Sequence, residues 1–206
     1  MSVTDGARAR LRRRALRLEY ATIAWTLGEA VFTIGLGIAA GSLALIGFGT
    51  DSVIEMFASA VVVWHVRPGH EVDHAERTRR ALRLVAVAFL VLAMVLAAAA
   101  THNLVTGRRA GESPMGIVYL AVTAVVMFSL AAAKRRTAVV LDSAPLRSEA
   151  SMTFLDGILS TLTLTGLSLN ALFGLWWADP TAALIVAAAA LNEARENRRE
   201  AAGLGR

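Results

Sequence analysis

At 206 residues, 56% of them hydrophobic, and with a mean hydropathy of +0.56, the chain is more apolar than soluble domains, which run near about 45–50%. It has no cysteine, which excludes a disulfide framework, a thiolate metal centre and a cysteine nucleophile. The formal charge of +5 is carried by arginine blocks lying beside long apolar runs, where they orient spans and meet anionic lipid, so nucleic acid is excluded as a partner.

A bilayer core of about 30 Å needs roughly 20 mostly apolar residues per helix, and six stretches meet that need. Residues 1–17 are arginine-rich and read as a basic cytoplasmic segment; no short leader with a cleavage site follows them. The first span, 18–40, contains "AWTLGEAVFTIGLGIAA"; the second, 42–65, contains "GFGTDSVIEMFASAVVVW". The third is 81–104, and the fourth, 114–133, opens on Pro114, which suits a first helical turn. The fifth is 148–173 and the sixth 180–197, where Asp179 followed by Pro180 reads as a cap with proline at the first helical position. Residues 198–206 are expected to be a short cytoplasmic tail without a metal-sensing domain after it.

Basic residues set the topology. Arg8, Arg10, Arg12, Arg13, Arg14 and Arg17 precede the first span; Arg67, Arg77, Arg79, Arg80 and Arg83 flank the second-to-third connection. Lys134, Arg135, Arg136 and Arg147 flank the fourth-to-fifth, and Arg195, Arg198, Arg199 and Arg206 close the chain. The opposite side has only Arg108 and Arg109. The expectation is an all-α integral membrane protein of six transmembrane helices with both termini cytoplasmic.

The acids that stand out within the apolar stretches of these spans are Glu29, Asp51, Glu55, Glu149 and Asp156. An acid at mid-membrane costs roughly 2.5–3.5 kcal/mol on insertion scales, so each marks a functional position by default. Asp51 and Glu55 are four apart and share a helix face; Glu149, Met152 and Asp156 step by three and four along another, and Ser59 and Ser160 extend both faces. If the second and fifth helices pack together, four carboxylates converge, and such a group needs protons or a cation. Oxygen-rich sites favour divalent metals, and protonation competes with the metal. Glu29, near Trp25, Gly28 and Thr33, is a candidate for proton coupling or for ordinary helix packing. In the second-to-third loop, His70, Asp73 and His74 are a secondary metal candidate on one helical turn, with the solvated-loop alternative favoured. His102 reads as interfacial. Gly28, Gly35, Gly37, Gly157 and Gly166 offer sites of close helix approach.

These residues resemble the cation diffusion facilitator (cation efflux) family in a short, transmembrane-only form. "SLALIGFGTDSVIEMFAS" looks like the family's second helix, and "SEASMTFLDGILS" followed by "WWADPTAALIVAAAAL" like its fifth and sixth. The resemblance covers about residues 18–197. It implies a transport site in which Asp51, Glu55 and Asp156 ligate a divalent cation and Met152 occupies the remaining ligand position, where the family often has histidine or aspartate. A thioether is a soft, weak ligand, so Glu149 one turn earlier is a candidate for the missing oxygen. The resemblance further implies export of Zn²⁺, Mn²⁺, Fe²⁺ or Co²⁺ from the cytoplasm by alternating access with proton antiport, in a homodimer at the cell membrane. Zinc stands slightly first on family grounds, while the oxygen ligands favour harder cations. No organic cofactor is expected, and no metalloprotease motif, GxSxG elbow or catalytic dyad points to an enzyme. Two alternatives stay open: a proton-coupled exporter of organic cations using Glu29, and a non-transporting membrane regulator that binds metal.

Overall fold

A computed structural model describes residues 3–40, 43–67, 74–107 and 114–204. Among them the chain is all helix, with no strand: α1 (Val3–Ala40), α2 (Leu43–Val66), α3 (His74–Thr106), α4 (Pro114–Leu141), α5 (Ala144–Phe173) and α6 (Ala178–Gly203). All but α2, which is shifted by a single residue, overrun their expected spans, because the flanking Arg, Ala, Leu and Glu are strong helix formers that carry the hydrogen-bond ladder into the aqueous margin. The arginine-rich N-terminal segment is thus the first part of α1, and Lys134, Arg135 and Arg136 belong to α4 rather than to a loop.

Element ends follow local chemistry. Pro114 opens α4 where a missing N–H costs nothing. The α4–α5 corner is tight: Asp142 takes φ 50°, the left-handed region, and the Ser143 N–H donates to the Ala138 carbonyl at 3.1 Å. The expected Asp179 cap is corrected: α6 starts at Ala178 with Trp177 as its cap and no side-chain cap bond, leaving Pro180 inside the first turn, where no N–H is needed. At the start of α3, Arg77 folds back on α2. Its Nη2 donates to the Trp64 carbonyl and to the Arg67 carbonyl at 3.2 Å, and its guanidinium stacks 5.0 Å over the Trp64 ring.

Helices α1, α2, α5 and α4 form a ring in that order, and α3 and α6 pair with each other against the α2/α5 side of it. Two kinds of interior result. Between the ring and the α3/α6 pair lies an apolar core that includes Ile54, Val61, Phe89, Leu92, Met152, Leu155 and Val186. Inside the ring runs a track of buried polar side chains, Glu19, Glu29, Asp51, Ser52, Glu55, Ser59, Thr123, Lys134, Glu149, Thr153, Asp156 and Ser160, closed at the arginine-rich end by a small apolar cluster of Ala15, Val62, Val66, Ala138 and Leu146. Outside, large apolar residues such as Val31, Val87, Met94, Val122, Val125 and Phe154 stand exposed. Polar groups inside and apolar ones outside invert the soluble pattern and suit a lipid solvent. Ala75–Thr106 and Val118–Leu141 are the two described stretches whose length and apolarity alone suffice to cross a membrane.

Glycine supports close approach at two places. A methyl group on Gly49 would collide with Ile34 Cγ1 and come within 2.6 Å of Thr33 Oγ1, so α1 and α2 touch there through the missing side chain. A methyl group on Gly157 would likewise come within 3.0 Å of the Phe128 ring of α4. Gly28 and Gly35 do not act this way, since a methyl there would meet nothing within 4 Å.

Candidate cation site

The antiparallel ring puts residues of matching depth side by side. With about 1.5 Å of rise per residue, Glu19 and Glu29 lie about 15 Å apart along α1, and Glu149 and Asp156 about 10 Å apart along α5. The buried acids therefore form layers rather than one cluster.

The outer layer centres on Glu29. Its Oε2 accepts a hydrogen bond from Ser52 Oγ at 2.9 Å, and its Oε1 accepts from Tyr119 Oη at 3.0 Å and Thr123 Oγ1 at 3.3 Å. Three hydroxyl donors from α2 and α4 satisfy this carboxylate, which ties three helices together.

The middle layer holds Asp51 and Glu55 from α2 and Asp156 from α5. Asp51 and Asp156 are side by side, Glu55 lies within electrostatic reach of both, and Glu29 adds its field from the next layer out. All three are almost wholly buried. Their oxygens are distinctive: Asp51 Oδ2, both oxygens of Glu55 and Asp156 Oδ2 have no hydrogen-bond partner, and Ser160 Oγ beyond them has none either. Buried carboxylate oxygens without donors are costly, so they are expected to receive a cation or protons. In this conformation no group of three or more His, Asp or Glu side chains among the described residues is drawn close enough to hold one ion.

The inner layer is one that sequence reasoning missed. Lys134 of α4 is fully buried, and its Nζ donates to both oxygens of Glu149, at 2.6 and 2.7 Å, and to Thr153 Oγ1 at 3.0 Å. Glu149 also accepts from Ser59 Oγ at 2.8 Å and from Thr153 Oγ1 at 3.3 Å. Glu19 of α1, itself fully buried, approaches the same ammonium at 3.5 Å. Glu149 therefore faces Lys134 and not the middle layer, with both its oxygens taken. Met152 is buried in the apolar core between α2, α3, α5 and α6. The four carboxylates expected to converge are thus divided, three in the middle layer and one in the inner. A signal for the inner layer was present: Lys134 is the single lysine among 21 basic residues.

His70 and Asp73 lie outside the described residues, as does the His74 side chain. His102 is exposed near the end of α3, its carbonyl accepting from Thr106 Oγ1 at 2.7 Å.

Comparison with known proteins decides the family. The model of the cation efflux transmembrane domain matches residues 20–203, from α1 through the last turn of α6. The chain belongs to the cation efflux family. It is accordingly an integral membrane protein. Among curated proteins this cation efflux domain is similar to Transmembrane protein 163 of Xenopus laevis, 29% identical over 93 residues. The matched segment is 45% of this chain and spans 33% of that relative's length.

Proposed function

We propose that the protein exports a divalent transition-metal cation from the cytoplasm through the middle layer, with Asp51, Glu55 and Asp156 as ligands. The observation that carries this reading is the set of orphaned carboxylate oxygens shared between α2 and α5, set against Glu29 and Glu149, whose oxygens are already engaged. Three acids at low dielectric cannot all remain ionised without a compensating charge, and a divalent cation supplies it. Ligation requires Asp51, Glu55 and Asp156 to close around the ion, with water completing the shell. Oxygen ligands accept Mn²⁺, Fe²⁺, Co²⁺ and Zn²⁺, and zinc stands slightly first on the family resemblance. Protons returning through the same carboxylates make the cycle an antiport. The arginine distribution supports six crossings with both ends cytoplasmic, and the family resemblance suggests a homodimer at the cell membrane.

Glu29, saturated by three hydroxyl donors, serves this reading as a brace for α1, α2 and α4 and as a field source for Asp51. An exporter of organic cations would need it open to substrate.

The deciding measurement is flux into proteoliposomes across a panel of Zn²⁺, Mn²⁺, Fe²⁺ and Co²⁺. Asp51→Asn and Asp156→Asn are each expected to lower flux at least about tenfold, the loss of one charged ligand interaction. Full flux in both variants would remove the site. Binding of metal without flux by the wild type would make the protein a metal-binding regulator instead.

A further inference from the structure

The inner layer has the composition of a cation site already holding a cation of its own. Two carboxylates, Glu19 and Glu149, and the Thr153 hydroxyl, from α1 and α5, face the Lys134 ammonium, and the Ser59 hydroxyl of α2 joins them through Glu149. The charges do not balance: one ammonium faces two carboxylates. The surplus falls on Glu19, which is fully buried, has no hydrogen bond at either oxygen and reaches Lys134 only at 3.5 Å. A divalent cation would match both carboxylates, and the four side chains supply only oxygen donors. The nest is also continuous with the middle layer, because Glu55 lies within electrostatic reach of Lys134 and Glu149 and beside Thr153. It stands at the ends of α1, α4 and α5 that carry Arg17, Arg135, Arg136 and Arg147.

We propose that the Glu19–Glu149–Ser59–Thr153 nest is a second divalent-cation position on the path between the middle layer and the arginine-rich end, held in this conformation by Lys134 as a tethered stand-in. A passing cation takes the nest as Lys134 withdraws along its flexible stem towards that end, and the returning ammonium closes the path behind it. The proposal rests on the transport reading above, and it adds a stopper that is part of the chain.

The test counts metal bound per chain in purified protein reconstituted in nanodiscs, with Zn²⁺ or Mn²⁺ alone as the probe. The wild type and Lys134→Arg are expected to bind one cation, Lys134→Met two, and Lys134→Met/Glu19→Gln/Glu149→Gln one again. In an Asp51→Asn background the count is expected to fall to none with Lys134 present and to one with Lys134→Met. An Asp51→Asn protein that still binds one cation counts against the middle-layer site, whereas Lys134→Met binding no more than the wild type overturns the nest. Should Lys134→Met fail to fold, the wild type decides. Its single lysine can be followed by amine-reactive labelling with peptide mapping, which separates it from the N-terminal amine. Labelling of Lys134 is expected to rise several-fold when metal is supplied; an unchanged rate overturns the proposal.

Discussion

Single residues show how unequal buried acids can be. Glu149 makes the short ion pair with Lys134, so Glu149→Gln leaves the buried ammonium only Glu19, at 3.5 Å, for a carboxylate partner. Breaking one side of such a pair typically costs about 3–5 kcal/mol. A large drop in unfolding temperature is therefore expected in detergent, while folded protein still binds one metal at the middle layer; loss of that binding would return Glu149 to the ligand set. Tyr119→Phe removes a neutral donor at 3.0 Å from Glu29, which retains Ser52 and Thr123, so a loss of only about 1 kcal/mol is expected by the same assay. These roles were only partly visible in the sequence. Asp51, Glu55 and Asp156 stood out because an acid in an apolar run has few cheap explanations. Lys134 did not, because it adjoins Arg135 and Arg136 at a span margin, where positive charge reads as an orientation signal. Glu19, at the edge of the first span beside Arg17, was hidden in the same way. Their pairing depends on the register of α1, α4 and α5, which no local pattern encodes.

Among the elements, α1 and α2 are held at a separation that only glycine permits at position 49. Gly49→Ala forces its methyl against Thr33 and Ile34, and overpacking of this kind costs about 1–3 kcal/mol. The expected result is a clear loss of thermal stability and lower flux, since Thr33 sits one turn beyond Glu29 and its Oγ1 donates to the Glu29 carbonyl at 2.7 Å. Gly28→Ala and Gly35→Ala, with open space around them, should be neutral or raise helix stability by up to about 1 kcal/mol. Equal behaviour of all three would remove the close-approach argument. Helix number and order were readable from apolar length and charge, as were the ends at residues 40, 114 and 173, whereas most ends on the arginine-rich side were not. Hydrophobicity stops at the membrane margin, but the backbone ladder continues through Arg- and Ala-rich turns, as at α1 and α4.

At the scale of the whole molecule, the apolar core and the polar track are separate structures with separate duties. The core between α3/α6 and α2/α5 holds the bundle through Phe89, Leu92, Leu155 and their neighbours, while the ring of α1, α2, α4 and α5 encloses the layers. On the proposed cycle, cation passage amounts to exchanging which charge each layer holds: Lys134 or metal at the inner layer, protons or metal at the middle one. The sign of the pH dependence follows. Ligation requires Asp51, Glu55 and Asp156 deprotonated, so metal affinity must fall as pH falls, by at most about tenfold per pH unit for each proton displaced. A proteoliposome whose lumen is more acidic than its bath should therefore release metal faster on the luminal side and accumulate it faster than one without a gradient. Reversing the gradient should slow accumulation. Carboxylates bound to metal alone, without proton exchange, would give accumulation indifferent to the direction of the gradient, and a pH-sensitive dye inside the vesicles would register no alkalinisation as metal enters.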